Sequence, residues 1–165
     1  MDYDQGASNN ERLLAAARAD NEEMLLEVFE QGGFDINFAD GLGNTALHYA
    51  ASSGCTDVLE HILEHDECDV DPINRLEKAT PLHLAARIEE PELRKAVFTS
   101  LIDAGADIQI KDKNGDTAAD LLPKEDTEIH ALLRKARAQA TISMDDVAND
   151  DDDDGSGSGS GSDDD

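Results

Sequence analysis

One phrase occurs twice in this chain, 35 residues apart, and it limits the possible folds more than any other feature. The phrase reads Thr-x-Leu-His-x-Ala-Ala and begins at Thr45 and again at Thr80. Asp40 lies five residues before Thr45, and Asp112 lies five residues before Thr117. Gly-Ala-Asp-type turns follow in the same phase, at residues 33–37, 67–71 and 105–109. Because one unit of this size cannot bury its apolar face alone, the units are expected to stack into an array.

Each repeated phrase carries the signals of a helix start. A Thr oxygen accepts the free N–H groups there, so a Thr is expected to cap the first helix of each unit. Three residues later a His or Asp can bond back toward the preceding loop, as in a capping box. Second helices are expected to begin near Asp20 and Thr56. The residues that we assign a structural role are Thr45, His48, Thr80, His83 and Thr117.

With these markers the chain resembles the ankyrin repeat family over residues 8–140. The resemblance implies an all-α repeat fold, an ankyrin solenoid of about four helix-turn-helix units with short β-hairpin fingers. It also implies that His48 and His83 hydrogen-bond within and between the hairpin loops. The units are predicted at residues 8–37, 38–71, 72–109 and 110–140. We expect residues 1–7 and the acidic Asp/Gly/Ser tail at 141–165 to be disordered.

The units depart from one another in three places. The first has Glu11 where a capping Thr is expected, and no hairpin precedes it. In the third, Glu77 and Lys78 stand where the hairpin glycine belongs, so that finger is predicted to have a different shape. Residues 87–92 lengthen the following period to 37, which is expected to extend the link between the two helices of that unit.

The charge of the chain favours some partners over others. The net charge is −26, of which −10 belongs to the segment from Asp145 onward. Nucleic acid is therefore an improbable ligand, because phosphate binding needs Lys and Arg. A basic protein is the natural electrostatic partner, while a second interpretation, that the acidity only keeps the protein soluble, stays open. Ser143 and Ser162 precede acidic residues as in sites of acidophilic kinases, and the Gly-Ser stretch at 155–162 resembles either a natural low-complexity end or a linker.

Two cysteines, Cys55 and Cys68, do not make a disulfide framework, so they are expected to be small buried or half-buried residues. No apolar run approaches the ~18 residues that a membrane span needs, and the acidic N-terminus lacks an apolar signal core. We therefore expect a cytoplasmic or nuclear protein that acts as a monomer, without a cofactor.

One pattern points to an enzyme instead. His61, Glu64 and His65 have the His-x-x-Glu-His spacing of some zinc peptidases. The repeat phase places this stretch on an outer helix, with Ile62 and Leu63 at its apolar positions, and no third ligand is identifiable. We therefore predict no metal site and no catalytic residues.

Ankyrin proteins usually bind other proteins through the fingertips and the exposed side of the first helices. Transferred to this chain, that rule predicts a groove with an apolar centre and acidic surroundings. The resemblance thus implies a non-enzymatic adaptor or escort chaperone for a basic partner such as a ribosomal protein or histone. The alternative is a regulatory subunit or assembly factor that docks on an enzyme or complex. The predicted partner-binding residues are Leu42, Asn44, Tyr49, Ser52, Ser53, Leu76, Glu77, Arg87, Ile88, Lys113, Asn114 and Asp116.

Overall fold

The computed structural model describes the backbone of residues 5–149 and the side chains of residues 9–139. Within that range the chain forms helices that alternate with turns. Their bounds are α1 Gln5–Ala19, α2 Glu22–Gln31, α3 Ala46–Ser53, α4 Thr56–Leu63, α5 Pro81–Ala85, α6 Pro91–Asp103, α7 Ala118–Leu121 and α8 Thr127–Asn149.

The helices stack in two rows. The first helix of each unit contacts the first helix of the next, in the order α1, α3, α5, α7, and the second helices α2, α4 and α6 pack behind them. The Ala-Ala pair that ends each repeated phrase is buried, because small side chains let neighbouring inner helices approach closely. Leucines at one register position, Leu13, Leu47 and Leu82, fill the space between the rows. The predicted all-α repeat fold is confirmed.

Each of the last three units begins with a capping box, as the sequence predicted. The hydroxyl oxygen of Thr45 accepts from the His48 backbone N–H at 3.3 Å, and Nδ1 of His48 accepts from the Thr45 backbone N–H at 3.0 Å. Thr80 with His83 and Thr117 with Asp120 repeat this arrangement.

The two histidines also join neighbouring fingers. Because Nδ1 of each ring accepts, Nε2 carries the proton. It donates to the carbonyl oxygen of the next finger, from His48 to Ala79 at 2.9 Å and from His83 to Asp116 at 2.8 Å. Burial lowers the pKa of His48, which keeps this ring neutral. The inferred role of the two histidines agrees with these bonds.

The fingers are tight turns: no β-strand occurs between residues 5 and 149, so the predicted β-hairpins are corrected to turns. In each turn one carboxylate or amide oxygen accepts two backbone N–H groups, and backbone hydrogen bonds close the loop. Oδ1 of Asp40 accepts from Leu42 and Asn44, both at 3.0 Å. Asn74 and Asp112 do the same in the third and fourth fingers.

The third finger differs from its neighbours by one residue. Its closing bond joins Asn74 to Ala79 at 3.0 Å, whereas Asp40 is closed onto Asn44 and Asp112 onto Asp116 with one residue fewer between them. Lys78 occupies the glycine position and takes the same left-handed backbone, at φ +54°. The finger is therefore longer, as its missing glycine suggested, yet it ends in the same conformation.

The insertion in the third unit forms a fixed loop. Residues 86–90 separate α5 from α6, whereas only residues 54–55 separate α3 from α4. Ile88 turns inward and is 8% exposed, so its predicted place in the binding groove is wrong. Its carbonyl oxygen accepts from Nη1 of Arg94 at 2.6 Å, while Nε of Arg94 donates to Asp126 at 2.8 Å. The longer loop folds over the end of the core. The buried side chain of Ile88 covers that end.

Both ends of the array differ from the prediction. Helix α1 begins at Gln5, inside the segment 1–7 that was expected to be disordered, and residues 1–4 lie outside the described range. Helix α8 continues past residue 140 to Asn149, into the expected tail, of which residues 150–165 lie outside the described range. Ser162 and the Gly-Ser stretch belong to that undescribed part, while Ser143 lies within α8. The chain divides into two compact units between Ile129 and His130, and the groove belongs to the first.

A ladder of side-chain bonds joins successive Gly-Ala-Asp-type turns. Asn10 accepts from the Asp35 backbone N–H at 2.8 Å, and Asn37 accepts from Asp69 at 2.7 Å. At the third step the acceptor is Asp71, which takes the Asp107 N–H at 3.1 Å. Burial raises the pKa of Asp71, and the nearby carboxylates of Asp107 and Asp69 raise it further, against the opposing effect of that hydrogen bond.

Asp71→Asn is therefore expected to stabilise the protein at neutral pH. The amide keeps the acceptor and removes the repulsion, which should add up to about 1 kcal/mol to the free energy of unfolding. A raised native pKa means that the native state binds protons more readily than the unfolded state, so acid relieves the penalty. Urea unfolding of both proteins from pH 7 downward should show the advantage of the variant shrinking as Asp71 protonates and vanishing below both its native and its unfolded pKa. An advantage that is constant with pH would contradict this account.

Candidate protein-binding groove

The second and third fingers and the inner helices enclose an open cavity of about 190 Å³. Six of the twelve predicted partner-binding residues line it, namely Leu42, Asn44, Tyr49, Ser52, Leu76 and Glu77. His48, Asn74 and Leu84 complete the lining, and the sequence argument had not assigned them to a binding surface.

The remaining predicted residues lie at varied positions. Ser53 is exposed beyond the cavity, and exposed Arg87 forms an ion pair with Glu77 at 3.0 Å. Lys113 and Asn114 are exposed on the fourth finger. Asp116 is half-buried, and its carbonyl oxygen is the acceptor for His83.

Two leucines project from the fingers beside this cavity. Leu42 is 54% exposed and Leu76 is 65% exposed, although both are large apolar residues. They could have packed finger against finger, but the fingers are joined through the backbone instead. The Arg75 N–H donates to the Leu42 carbonyl at 2.9 Å, and the Lys113 N–H donates to the Glu77 carbonyl at 2.8 Å. The leucine side chains are thus left available at the rim of the cavity.

Tyr49 is held between the first inner helix and the second finger. Its hydroxyl donates to Asp40, and the guanidinium of Arg18 lies 5.2 Å from the centre of its ring. Burial alone would raise the pKa of Asp40, but hydrogen bonds from Tyr49, Asn44 and Leu42 and the charge of Arg18 together lower it. Asp40 therefore stays ionised and keeps the aromatic ring in one orientation at the edge of the groove.

A larger cavity of about 750 Å³ is lined by α1, α2 and the second finger. It is lined by Glu11, Arg12, Leu14, Ala15, Arg18, Met24, Phe38, Ala39, Asp40 and Gly41. By register, Leu14 and Ala15 replace His48 and Tyr49 of the next unit. The atypical first unit contributes Glu11, which stands where a capping Thr was expected, to the lining of this cavity.

Charge is distributed unequally over the array. Helix α2 carries Glu22, Glu23, Glu27 and Glu30 without any Lys or Arg, and α4 carries Asp57 and Glu60 without any Lys or Arg. The third and fourth fingers, in contrast, expose Arg75, Lys78, Lys111 and Lys113. The acidic surroundings that were expected for the groove therefore lie on the outer helices instead.

The two histidines of the zinc-like pattern have other partners. Nε2 of His61 lies 2.7 Å from the Glu22 carboxylate, and the His65 ring packs edge-on against Phe29 and Phe34. Across the described side chains, no group of three or more His, Cys, Asp or Glu residues is arranged to hold a metal ion. His61 and His65 therefore link α4 and the turn that follows it to residues of the preceding unit.

Cys55 is buried, Cys68 is half-buried, and both are free thiols. Burial raises the pKa of each to about 11, so both remain protonated at neutral pH. None of the helices within residues 5–149 is both long enough and apolar enough to span a membrane.

The sequence profile of the family described as ankyrin repeats in three copies matches residues 13–112. The chain belongs to the ankyrin repeat family. It is 39% identical over 129 residues to the Ankyrin repeat-containing protein YGL242C of Saccharomyces cerevisiae, which covers 72% of this chain and 71% of that protein.

Other relatives are much longer proteins. Ankyrin repeat and SOCS box protein 6 of Mus musculus is 39% identical over 92 residues, 55% of this chain and 21% of that protein. The E3 ubiquitin-protein ligase Ufd4 of Drosophila melanogaster is 29% identical over 109 residues, 66% of this chain and 4% of that protein. What these matches share is the ankyrin array, a protein–protein interaction module, so this chain is expected to have protein partners.

Proposed function

We propose that this protein is a non-enzymatic adaptor or escort chaperone that holds a segment of a partner protein in the groove between its second and third fingers. The observation that supports this most strongly is the exposure of Leu42 and Leu76 beside a cavity that also contains Tyr49. Large apolar side chains left exposed around a concave site are characteristic of binding surfaces. The turns beneath them are closed by repeated hydrogen bonds, so little ordering is needed on binding.

The proposed partner is basic, such as a ribosomal protein or a histone. Its support is the net charge of −26 together with the carboxylates of α2 and α4, which would steer a basic surface toward the array. In the alternative, the chain is a regulatory subunit or assembly factor that docks through the same groove, and its acidity serves solubility only. We further propose that the protein acts as a monomer in the cytoplasm or nucleus, without a cofactor and without binding nucleic acid or membranes. The two unpaired cysteines fit a reducing compartment.

The groove is tested with a double variant, Leu42→Ser with Leu76→Ser, in affinity capture followed by mass spectrometry. Because both leucines are exposed, the variant should fold as the wild type does but retain about tenfold less of its main partner. Leu26→Ser is the matched control, since Leu26 is also an exposed leucine, at 42%, but lies on outer helix α2. Undiminished capture by the double variant, or equal loss in the control, would contradict the groove.

The same capture at low and moderate salt separates the two partner classes. A basic partner attracted by the acidic helices should be recovered in smaller amounts as salt increases, because salt screens exposed charges beyond about 10 Å at 0.1 M. Recovery that depends on Leu42 and Leu76 but not on salt would favour the docking subunit and reject the basic partner.

A further inference from the structure

We propose that the third and fourth fingers carry a second docking surface, which binds an acidic segment of a protein chain. This surface, called here the basic finger surface, consists of Arg75, Lys78, Lys111 and Lys113. The proposal goes beyond the groove, because none of these four cations lines the cavity and the ligand has the opposite charge. With it the protein could hold two regions of opposite charge at once, as an adaptor does.

The four cations lack carboxylate partners. All four are exposed, and among the described side chains no carboxylate lies within 4.0 Å of any of them. Some other cations are paired, as Arg12 is with Glu27 at 2.8 Å, whereas exposed Lys124 is in none of the described ion pairs either. What distinguishes the four is that they lie together on two adjacent fingers of a chain with 39 acidic and 13 basic residues. Their charge is therefore available to an external anion.

Two acidic residues of the same two fingers are occupied internally. Glu77 accepts from Arg87 at 3.0 Å. Asp112 is buried, and its Oδ1 accepts from the Asn114 and Asp116 backbone N–H groups at 2.9 and 3.0 Å. Although burial opposes it, these bonds, with the nearby charges of His83 and Arg87, lower the pKa of Asp112. Within the two fingers, the carboxylates of Glu77 and Asp112 are thus used for structure while the cations are exposed.

The fingers also hold the cations in a fixed relation. The Lys113 N–H donates to the Glu77 carbonyl at 2.8 Å, which sets the fourth finger directly beside the third. Nε2 of His83 binds Asp116 from behind at 2.8 Å. A frame fixed in this way loses little conformational freedom when a ligand binds.

The backbone of Lys78 is an independent observation. Its φ of +54° lies where the second and fourth fingers have Gly43 and Gly115, at +83° and +84°. A side chain in this conformation costs roughly 1–2 kcal/mol relative to the right-handed region. Strain of this kind is found preferentially at functional sites. The third finger therefore carries an ammonium group at a position where its neighbours have no side chain.

The ligand that fits is a protein segment with several carboxylates and an apolar residue. Carboxylates would pair with the four cations, and Leu76, which lies between Arg75 and Lys78 in the sequence and is 65% exposed, offers an apolar contact. Nucleic acid fits less well, because four cations on two fingers neutralise few phosphates.

Fluorescence anisotropy tests the proposal with a short fluorescein-labelled peptide of Glu and Leu residues and the full chain. A triple variant, Lys78→Glu with Lys111→Glu and Lys113→Glu, should bind the peptide at least about tenfold more weakly at low salt. The matched control reverses three exposed lysines elsewhere, Lys95, Lys124 and Lys135, with the same change in net charge. The control should stay within about twofold of the wild type, and circular dichroism should show that both variants are folded.

Three results would overturn the proposal: no binding of the peptide by the wild type, equal weakening in the two triple variants, or tighter binding of a labelled single-stranded oligonucleotide than of the peptide. A single Leu42→Ser variant, which changes a cavity residue outside the basic finger surface, separates this surface from the groove. If the groove proposal alone is wrong, partner capture is unchanged in that variant while the Lys78, Lys111 and Lys113 variant still loses the acidic peptide.

Discussion

Replacing Arg94 with alanine should lower the free energy of unfolding by about 3–5 kcal/mol, the range for removing one partner of a buried ion pair. The side chains of Arg94 and Asp126 are only 7% and 8% exposed, and Nε donates to the carboxylate at 2.8 Å. Alanine leaves the Asp126 charge in a poorly solvated place and removes the 2.6 Å bond to the Ile88 carbonyl. The insertion loop and the start of α8 lose their common attachment in one step.

The neighbouring Lys95 provides the control. It forms an ion pair with Glu128 at 3.0 Å, but these side chains are 51% and 71% exposed. Exposed pairs contribute little, so Lys95→Ala should cost less than about 1 kcal/mol. Chemical denaturation of both variants measures the difference. Similar small losses would show that the Arg94 pair is solvated in solution and does not fasten the insertion.

The second large effect is expected for Gly43→Ala, at about 3 kcal/mol. Gly43 has φ +83°, where a side chain costs roughly 1–2 kcal/mol, and a Cβ there would lie 2.7 Å from the backbone N of Arg75. Overpacking of this kind typically adds about 1–3 kcal/mol. The contact involves backbone, so relief requires the second and third fingers to separate, which breaks the Arg75 to Leu42 bond that shapes the groove.

Gly115→Ala separates the two contributions. Gly115 has nearly the same φ, +84°, but nothing lies within 4 Å of the Cβ position. Gly115→Ala should therefore lower the free energy of unfolding only by the conformational contribution, about 1–2 kcal/mol. Thermal or urea unfolding of the two variants compares them directly, and partner capture by Gly43→Ala reports on the groove. Equal losses in both variants would mean that the fingers have room to part and that their contact is not tight.

Much of this architecture could be predicted because it is encoded locally. The spacing of Thr45, His48, Thr80 and His83 specifies capping boxes, and each box needs only residues within one turn of helix. The period then repeats the same contacts between units, so one correct unit predicts the next. Leu42 and Leu76 could be placed at fingertips for the same reason.

The errors occurred where the units differ. Ile88 lies in the insertion, and the repeat register gives no information about which way an added loop turns. The sequence prediction missed the extra residue of the third finger. There Asn74 accepts the two backbone N–H groups that aspartates accept in the other fingers. Helix α8 passed its expected end at residue 140 because the estimate assumed a unit of ordinary length.

The separation of charge was missed for a different reason. Net charge is a sum over the chain, and a total of −26 conceals four exposed cations on two adjacent fingers. The repeat register places Lys78 and Lys113 on adjacent fingers, but only the fold shows that no carboxylate among the described side chains lies within 4.0 Å of either.

Hydrogen–deuterium exchange of the complex formed with the captured partner tests the central claim most directly. If the groove holds the partner, exchange should slow in residues 40–49 and 74–88 relative to the protein alone, while the outer helices α2 and α4 change less. Unchanged exchange in the fingers, with protection confined to α2 and α4, would contradict the groove and place the partner on the acidic outer row.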